Sequence, residues 1–138
     1  MALILDTGPL YALLDRNDHQ HAQCRELIRS TAEPRIIPSP VLVELDHLIS
    51  TRLHQGILLG LLEDIAAGAY AVENLELADY PRVRFLCEQY ADSDIGFVDA
   101  SVLAIVERLD EPKLATLDHR HFRMLRPRHV NALQLLPE

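Results

Sequence analysis

Along the chain, short continuous apolar runs alternate with stretches whose apolar residues recur at helical spacing. Ala2 to Leu5 is such a run, the signature of a strand buried on both faces. From Pro9 to Leu14 the pattern turns helical, with Thr7 or Gly8 near the cap and the proline in the first turn. Asp18 is placed to cap a second helix through about Ser30. After Pro34, "RIIP" reads as a short strand, and Ser39-Pro40 supplies a cap and a first-turn proline for a helix to about His54. Ile57 to Ala67 continues helical until Gly68 stops it. "AYAVENL" is the next strand candidate, Ala78 to Ala91 and Asp99 to Leu109 are the next helices, and "KLATL" and "VNALQLL" are the last strands. Strands alternating with helices predict an α/β fold, a mostly parallel central β-sheet flanked by helices on both faces. With no repeat, low-complexity tract or Gly/Ser linker, residues 1–138 are expected to form a single domain.

The bulk numbers sharpen this picture at a few points. A chain of 138 residues buries roughly two-thirds of its unfolded surface, enough for a real core. The 49% hydrophobic and 25% charged residues are those of a globular protein, and no apolar run approaches the ~20 residues of a membrane span. The opening Met-Ala-Leu-Ile-Leu-Asp lacks the basic start of a secretory signal, so the cytoplasm is the expected location. Cys24 and Cys87 lie far apart without a CxxC pattern and read as buried thiols, not as a disulfide or zinc site. A formal charge of -8 argues against unaided, non-specific binding to a polyanion. The charge is uneven, however: residues 119–129, HRHFRMLRPRH, hold four of the 13 basic residues, three of the seven histidines and no acid. That end is either a solvated basic loop or a phosphate-contacting patch.

The candidate chemistry is carboxylate chemistry. "LILDTGPL" carries an apolar-apolar-Asp-Thr-Gly string like that of an aspartic protease half-site, but such a protease is all-β, which the helical pattern here excludes. In a parallel α/β sheet, ligands bind at the carboxyl ends of the strands, and Asp6 stands at such an end. Asp118 closes "KLATLD" in the same way, so if the two strands are neighbours at ~4.8 Å their acids converge. Asp99, in "GFVDASVLAIVERL", opens a long apolar helix, where the dipole favours a carboxylate. Glu44 falls about 40° from Leu48, at the rim of the apolar arc of Val41, Leu45, Leu48 and Ile49, and is expected to be partly buried. Asp46 occupies the other rim of that arc, and helical geometry does not choose between them. Singly, each acid has an ordinary explanation as a cap, a turn residue or a solvated helix position. Gathered at one strand edge, they repel and drive their pKa values up, a cost that a bound cation removes.

Four segments in series, "LILDTGPLYALLDRNDHQH", "IIPSPVLVELDHLI", "GFVDASVLAIVERL" and "LATLDHRHFRML", resemble the PIN-domain family. Within it, the closest likeness is to the VapC-type ribonuclease toxins of bacterial and archaeal toxin-antitoxin pairs. The resemblance spans essentially the whole chain, in order, spacing and length. It implies a PIN-like fold, and it places Glu44, not Asp46, at the family's helical glutamate position. By the same resemblance Asp6, Glu44, Asp99 and Asp118 are the catalytic and metal-binding residues. Thr7 and Thr116 match places where the family often has a hydroxyl near the metal, and Asp92 and Asp94 fall in the variable approach to Asp99, as supporting candidates.

All-oxygen ligands without a nearby cysteine point to a hard cation, Mg²⁺ or Mn²⁺. The seven histidines form no zinc spacing; His19, His21, His119 and His121 read as solvated surface. The resemblance implies a metal-dependent endoribonuclease that leaves 5′-phosphate and 3′-hydroxyl ends on RNA single-stranded at the cut. It also implies a cognate antitoxin that lays a segment in a groove and an Arg among the acids, and a homodimer. Apolar positions such as Tyr11, Leu14, Ile57, Leu58, Leu61 and Leu62 would supply both core and contact surface. Because an acidic pocket cannot itself attract RNA, Arg120, Arg123, Arg126 and Arg128 are the candidates for phosphate contact. Two rivals stand beside this reading. An aspartyl phosphatase wants a second aspartate at position 8, which is glycine here, and no EF-hand loop supports a calcium-binding role. The other, a catalytically silent PIN-like module that binds RNA or protein, would be favoured by loss of one of the four acids, and all four are present.

Overall fold

The computed structural model describes all 138 residues. Its elements run β1 (Leu3–Ile4), α1 (Thr7–Leu14), α2 (His21–Ser30), β2 (Arg35–Pro38), α3 (Ser39–Arg52), α4 (Gln55–Ala66), β3 (Ala71–Glu73), α5 (Tyr80–Gln89), α6 (Phe97–Arg108), β4 (Lys113–Ala115), α7 (His119–Met124) and β5 (Gln134–Leu136). Short 3₁₀ turns at Leu77–Asp79 and Ala91–Ser93 lead into α5 and follow it.

Every strand pairing is parallel. β1 pairs with β2 and β2 with β3, in the registers Ile4 to Ile36 and Ile37 to Val72. β4 pairs with β5 through Leu114 and Leu135. A parallel bridge from Leu5 to Ala115 joins the two sets, and the Asp6 amide donates to the Ala115 carbonyl at 2.9 Å. The spatial order is therefore β3-β2-β1-β4-β5. The chain winds outward from β1 to β3 and then returns to the opposite side of β1, so the gap between the carboxyl ends of β1 and β4 is the switch point where such sheets bind ligands. Three consecutive residues of the central strand, Leu3, Ile4 and Leu5, are fully buried, which requires cover on both faces. Leu10, Leu45, Ile49, Leu103 and Leu114 belong to the same continuous core.

The element boundaries depart from the sequence expectation in ways that matter for the site. α1 starts at Thr7, two residues before Pro9, because Asp6 itself takes the extended cap position. Asp18 does not cap α2; its Oδ1 accepts from the Gln20 amide at 2.8 Å and shapes the turn before the helix. Ser39 is the first residue of α3 and Pro38 its cap, without a side-chain bond. α3 ends at Arg52 and α4 begins at Gln55, while Gly68, at φ +89°, provides the left-handed stop. α5 begins later than Ala78 because residues 77–79 form the 3₁₀ turn. α6 is capped by Gly96, which makes Asp99 its third residue and not its first. α7 falls within the run read from sequence as a solvated loop or patch; Asp118 caps it, and Phe122 is buried beneath it.

Behind the site, buried charge fixes the packing of α5, α6 and the C-terminal segment. Arg82 Nε donates to Glu107 Oε1 at 2.8 Å and Nη2 to Oε2 at 2.9 Å, with both side chains 9% exposed. Arg82 also donates to the Arg126 carbonyl, and Glu107 accepts from the Arg128 amide at 2.7 Å. Nearby, Arg108 pairs with Glu73, Glu76 and Asp79. Cys24 is buried, which pushes its thiol up to about 11, and Cys87 is half-buried and free. Removing one member of the Arg82–Glu107 pair strands the other charge out of water. Glu107→Ala is expected to lower unfolding free energy by about 3 kcal/mol. Urea unfolding should show this as a fallen midpoint at an unchanged slope.

Candidate active site

The site is built where β1 and β4 end. Asp6 follows β1, is 5% exposed, and accepts from the Thr116 hydroxyl at 2.8 Å. Thr116 follows β4, and its Oγ1 accepts in turn from the Asp118 amide at 3.0 Å. One buried hydroxyl thus ties the two strand ends together and fixes both aspartates relative to each other. Gly8 permits the close approach: a Cβ there would lie 3.1 Å from Leu117 Cβ.

Burial pushes the Asp6 carboxyl up to about 7; the Thr116 hydroxyl and the Thr7 amide oppose the shift, and the charges of Asp99 and Glu44 add to it. Asp99 is also raised, first by burial and then by Asp118, with His121 acting against them and Glu44 with them. Asp118 divides its two oxygens. Oδ1 accepts from the His121 amide at 3.1 Å as the cap of α7, while Oδ2 lies 2.7 Å from His121 Nδ1. The same ring nitrogen is 3.2 Å from Asp99 Oδ2, yet it meets hydrogen-bond alignment with neither carboxylate.

Asp6, Thr7, Gly8, Glu44, Leu48, Asp99, Leu117, Asp118 and His121 line one open cleft of about 540 Å³. Glu44 is on the cleft but exposed, not half-buried as its helical phase predicts. Asp46 lines a separate hollow with Ile49, Leu53 and His54, so the fold distinguishes the two acids that helical geometry alone did not. The Thr7 hydroxyl is buried beside the cleft with no partner. Asp92 and Asp94 are exposed and stand outside the cleft lining, in the turn and loop before α6; Asp94 takes a left-handed φ of 60°.

The four arginines do not form one patch. All are exposed, but Arg120 and Arg123 lie on α7 beside Asp118, whereas the backbones of Arg126 and Arg128 are bonded to Arg82 and Glu107. Glu107 is eight residues beyond Asp99 on α6, roughly 12 Å along the axis. Of the apolar contact candidates, Tyr11 and Leu61 are core, Leu14, Ile57 and Leu58 are half-buried, and Leu62 is exposed with its neighbour Leu59. A groove of about 750 Å³ runs between α1, α2 and α4, lined by Leu13, Leu14, Ile57 and the basic Arg16, Arg25 and Arg29.

His121 is the cleft residue that sequence reasoning set aside as surface. A signal existed: a residue three positions after a capping aspartate returns towards its own cap.

The raised Asp6 pKa fixes the sign of a pH effect. Folded protein holds a proton on Asp6 up to about pH 7, whereas the unfolded chain releases it near 3.8. Stability of metal-free protein therefore falls as pH rises from about 4 to 7, by up to about 1.4 kcal/mol per pH unit from this group. Asp6→Asn keeps an acceptor for Thr116 and should flatten that fall. Thermal unfolding across this pH range, wild type against variant, checks it.

No protein-family model matches the chain. A curated relative, ribonuclease VapC26 of Mycobacterium tuberculosis, is 34% identical over 125 residues, covering 91% of this chain and 93% of the relative. Among solved structures, VapC20 of Mycobacterium tuberculosis, a toxin that cleaves the sarcin-ricin loop, superposes with a TM-score of 0.71 at 18% identity, over 82% of this chain and 87% of that one. VapBC2 of Rickettsia felis, bound to a DNA fragment from its promoter, gives a TM-score of 0.69 at 16% identity over 98% and 97%. These two likenesses show a shared fold, and the sequence relationship to VapC26 shows the family. The chain belongs to the VapC family of PIN-domain ribonucleases.

Proposed function

We propose that this chain is a toxin endoribonuclease that hydrolyses RNA phosphodiester bonds with a divalent cation, Mg²⁺ or Mn²⁺, held by Asp6, Glu44, Asp99 and Asp118. The observation that carries this reading is the convergence of all four carboxylates on one cleft at the switch point of the sheet. The residues fit a cation. Asp6 and Asp99 are held where burial and mutual repulsion disfavour their charges, and the Thr7 hydroxyl is buried without a partner at the same place. A hard ion would relieve both and retain positions for water and a substrate phosphate.

Once bound, the cation would lower the pKa of a water and neutralise charge developing on the phosphate. The protein's own part is positional. Thr116 fixes the angle of Asp6, the α7 cap fixes Asp118, and the N-terminal turn of α6 presents Asp99 to the same volume. Water oxygen attacks phosphorus, the bond to O3′ breaks, and the leaving oxygen takes a proton, giving 5′-phosphate and 3′-hydroxyl ends. Arg120 and Arg123, exposed on α7 beside the cleft, are the phosphate contacts of this reading; Arg126 and Arg128, which follow α7 and whose backbones are bonded to Arg82 and Glu107, are left out of it.

A cognate antitoxin is the partner of this reading, lying in the α1-α2-α4 groove, whose three arginines suit an acidic, amphipathic segment. A homodimer acting in the cytoplasm belongs to the same reading. No helix is long and apolar enough to cross a membrane.

Two outcomes are expected. Purified protein freed of any partner, incubated with total cellular RNA and Mg²⁺ or Mn²⁺, should make discrete cuts, and Asp99→Asn should reduce them by at least about a hundredfold with the fold intact by circular dichroism. Unchanged cutting by the variant would refute the assignment. Arg123→Ala should weaken RNA binding across sequences and lower the salt slope by about 1, a change that Arg128→Ala should not produce. Filter binding at several salt concentrations reads the difference.

A further inference from the structure

We propose that His121 is a nitrogen ligand of the cation in this cleft, and that it gives the site a preference for Mn²⁺ over Mg²⁺. The inference rests on the metal-dependent reading above and adds a donor of a different kind to its four carboxylates.

The geometry is that of a coordination edge. Nδ1 stands 2.7 Å from Asp118 Oδ2 and 3.2 Å from Asp99 Oδ2. Adjacent donors around an octahedral ion with bonds of about 2.0–2.1 Å are separated by about 3 Å, and the two observed distances bracket that value. One donor atom from each of Asp99, Asp118 and His121 lies within 4.8 Å of the others. Nδ1 is buried, and its only polar neighbours are these two carboxylate oxygens, with neither of which it is aligned for a hydrogen bond. The buried Thr7 hydroxyl, also unpartnered, faces the same need in the same cleft.

The backbone explains why the ring is there. His121 is the third residue of α7, its amide donates to Asp118 Oδ1, and helical side chains lean towards the N-terminus, so the ring is carried back over its own cap. Phe122, buried in the core, fixes the rotation of the helix. The cap consumes Oδ1 of Asp118 and leaves Oδ2 beside the imidazole. No other histidine is placed in this way. His119 Nε2 is engaged with the Thr116 carbonyl at 3.1 Å, and His47 lies in a neighbouring hollow with Val43 and Phe97.

Chemistry then sets the preference. Mg²⁺ is held almost wholly by oxygen, whereas Mn²⁺ accepts imidazole and lies higher in borderline character. A site of carboxylates alone discriminates weakly between them; one imidazole tilts it to Mn²⁺.

The test is pulsed electron paramagnetic resonance of Mn²⁺ bound to the whole protein, combined with calorimetric affinities for Mn²⁺ and Mg²⁺. Wild type should show nitrogen modulation that changes when histidine is labelled with ¹⁵N, a readout needing no variant. His121→Gln should lose the modulation, and its ratio of Mn²⁺ to Mg²⁺ affinity should fall about tenfold. Mn²⁺ bound without nitrogen modulation, or modulation surviving in His121→Gln, overturns the inference while leaving the four-acid site standing. Failure of wild type to bind Mn²⁺, or binding undiminished in Asp99→Asn, overturns the metal-dependent reading and this inference with it.

Discussion

Burial of carboxylates beside one another at the ends of β1 and β4 is the constraint on which the rest of this structure turns. Asp6 is 5% exposed and sits in the field of Asp99 and Glu44, while Asp99 sits in that of Asp118. An arrangement chosen for stability alone would not place them so. The fold tolerates it by anchoring each carboxylate separately: Asp6 through Thr116, Asp118 through the first turn of α7, Asp99 at the favourable end of α6. Preorganisation of this kind holds the acids in place, so that a cation of the proposed function would require little rearrangement on binding.

The scaffold supplies the rigidity. All strand pairs are parallel, the central strand is buried on both sides, and the reversal of winding at β1 opens the crevice that the acids occupy. At the far end of α6, the Arg82–Glu107 pair and the Arg108 cluster lock that helix to α5 and to the segment after α7. A helix held so firmly at one end can present Asp99 at the other with little play. Charges at opposite ends of α6 therefore differ in setting: those at one end pack against α5 and the C-terminal segment, and Asp99 at the other lines the cleft.

Much of this was legible in the sequence because strand ends and helix starts have local signatures. The apolar runs before Asp6 and Asp118 and the proline signals near α1 and α3 identified both elements and edge. The limits were equally physical. Helical phase placed Glu44 and Asp46 symmetrically about an apolar arc, and the tertiary placement of α3 directs one of them to the cleft and the other to a separate hollow. α7 has six residues and a polar composition, so its helix depends on the Asp118 cap and the buried Phe122, not on periodicity. His121 escaped for the same reason, since without α7 its ring has no defined direction. The arginine run is continuous along the chain, but its first half lies on α7 and the backbone of its second half is bonded to Arg82 and Glu107, a difference that only the fold reveals.

In the proposed function, four acids from four separate places in the chain act as one cation site. Calorimetric titration of Mg²⁺ and Mn²⁺ into wild type and into Asp6→Asn, Glu44→Gln, Asp99→Asn and Asp118→Asn, taken singly, tests it most directly. Every one of these changes should weaken binding at the same site, with Asp46→Asn leaving it unaltered. Wild-type affinity retained by Asp6→Asn and Asp99→Asn, or lost equally in Asp46→Asn, would contradict it.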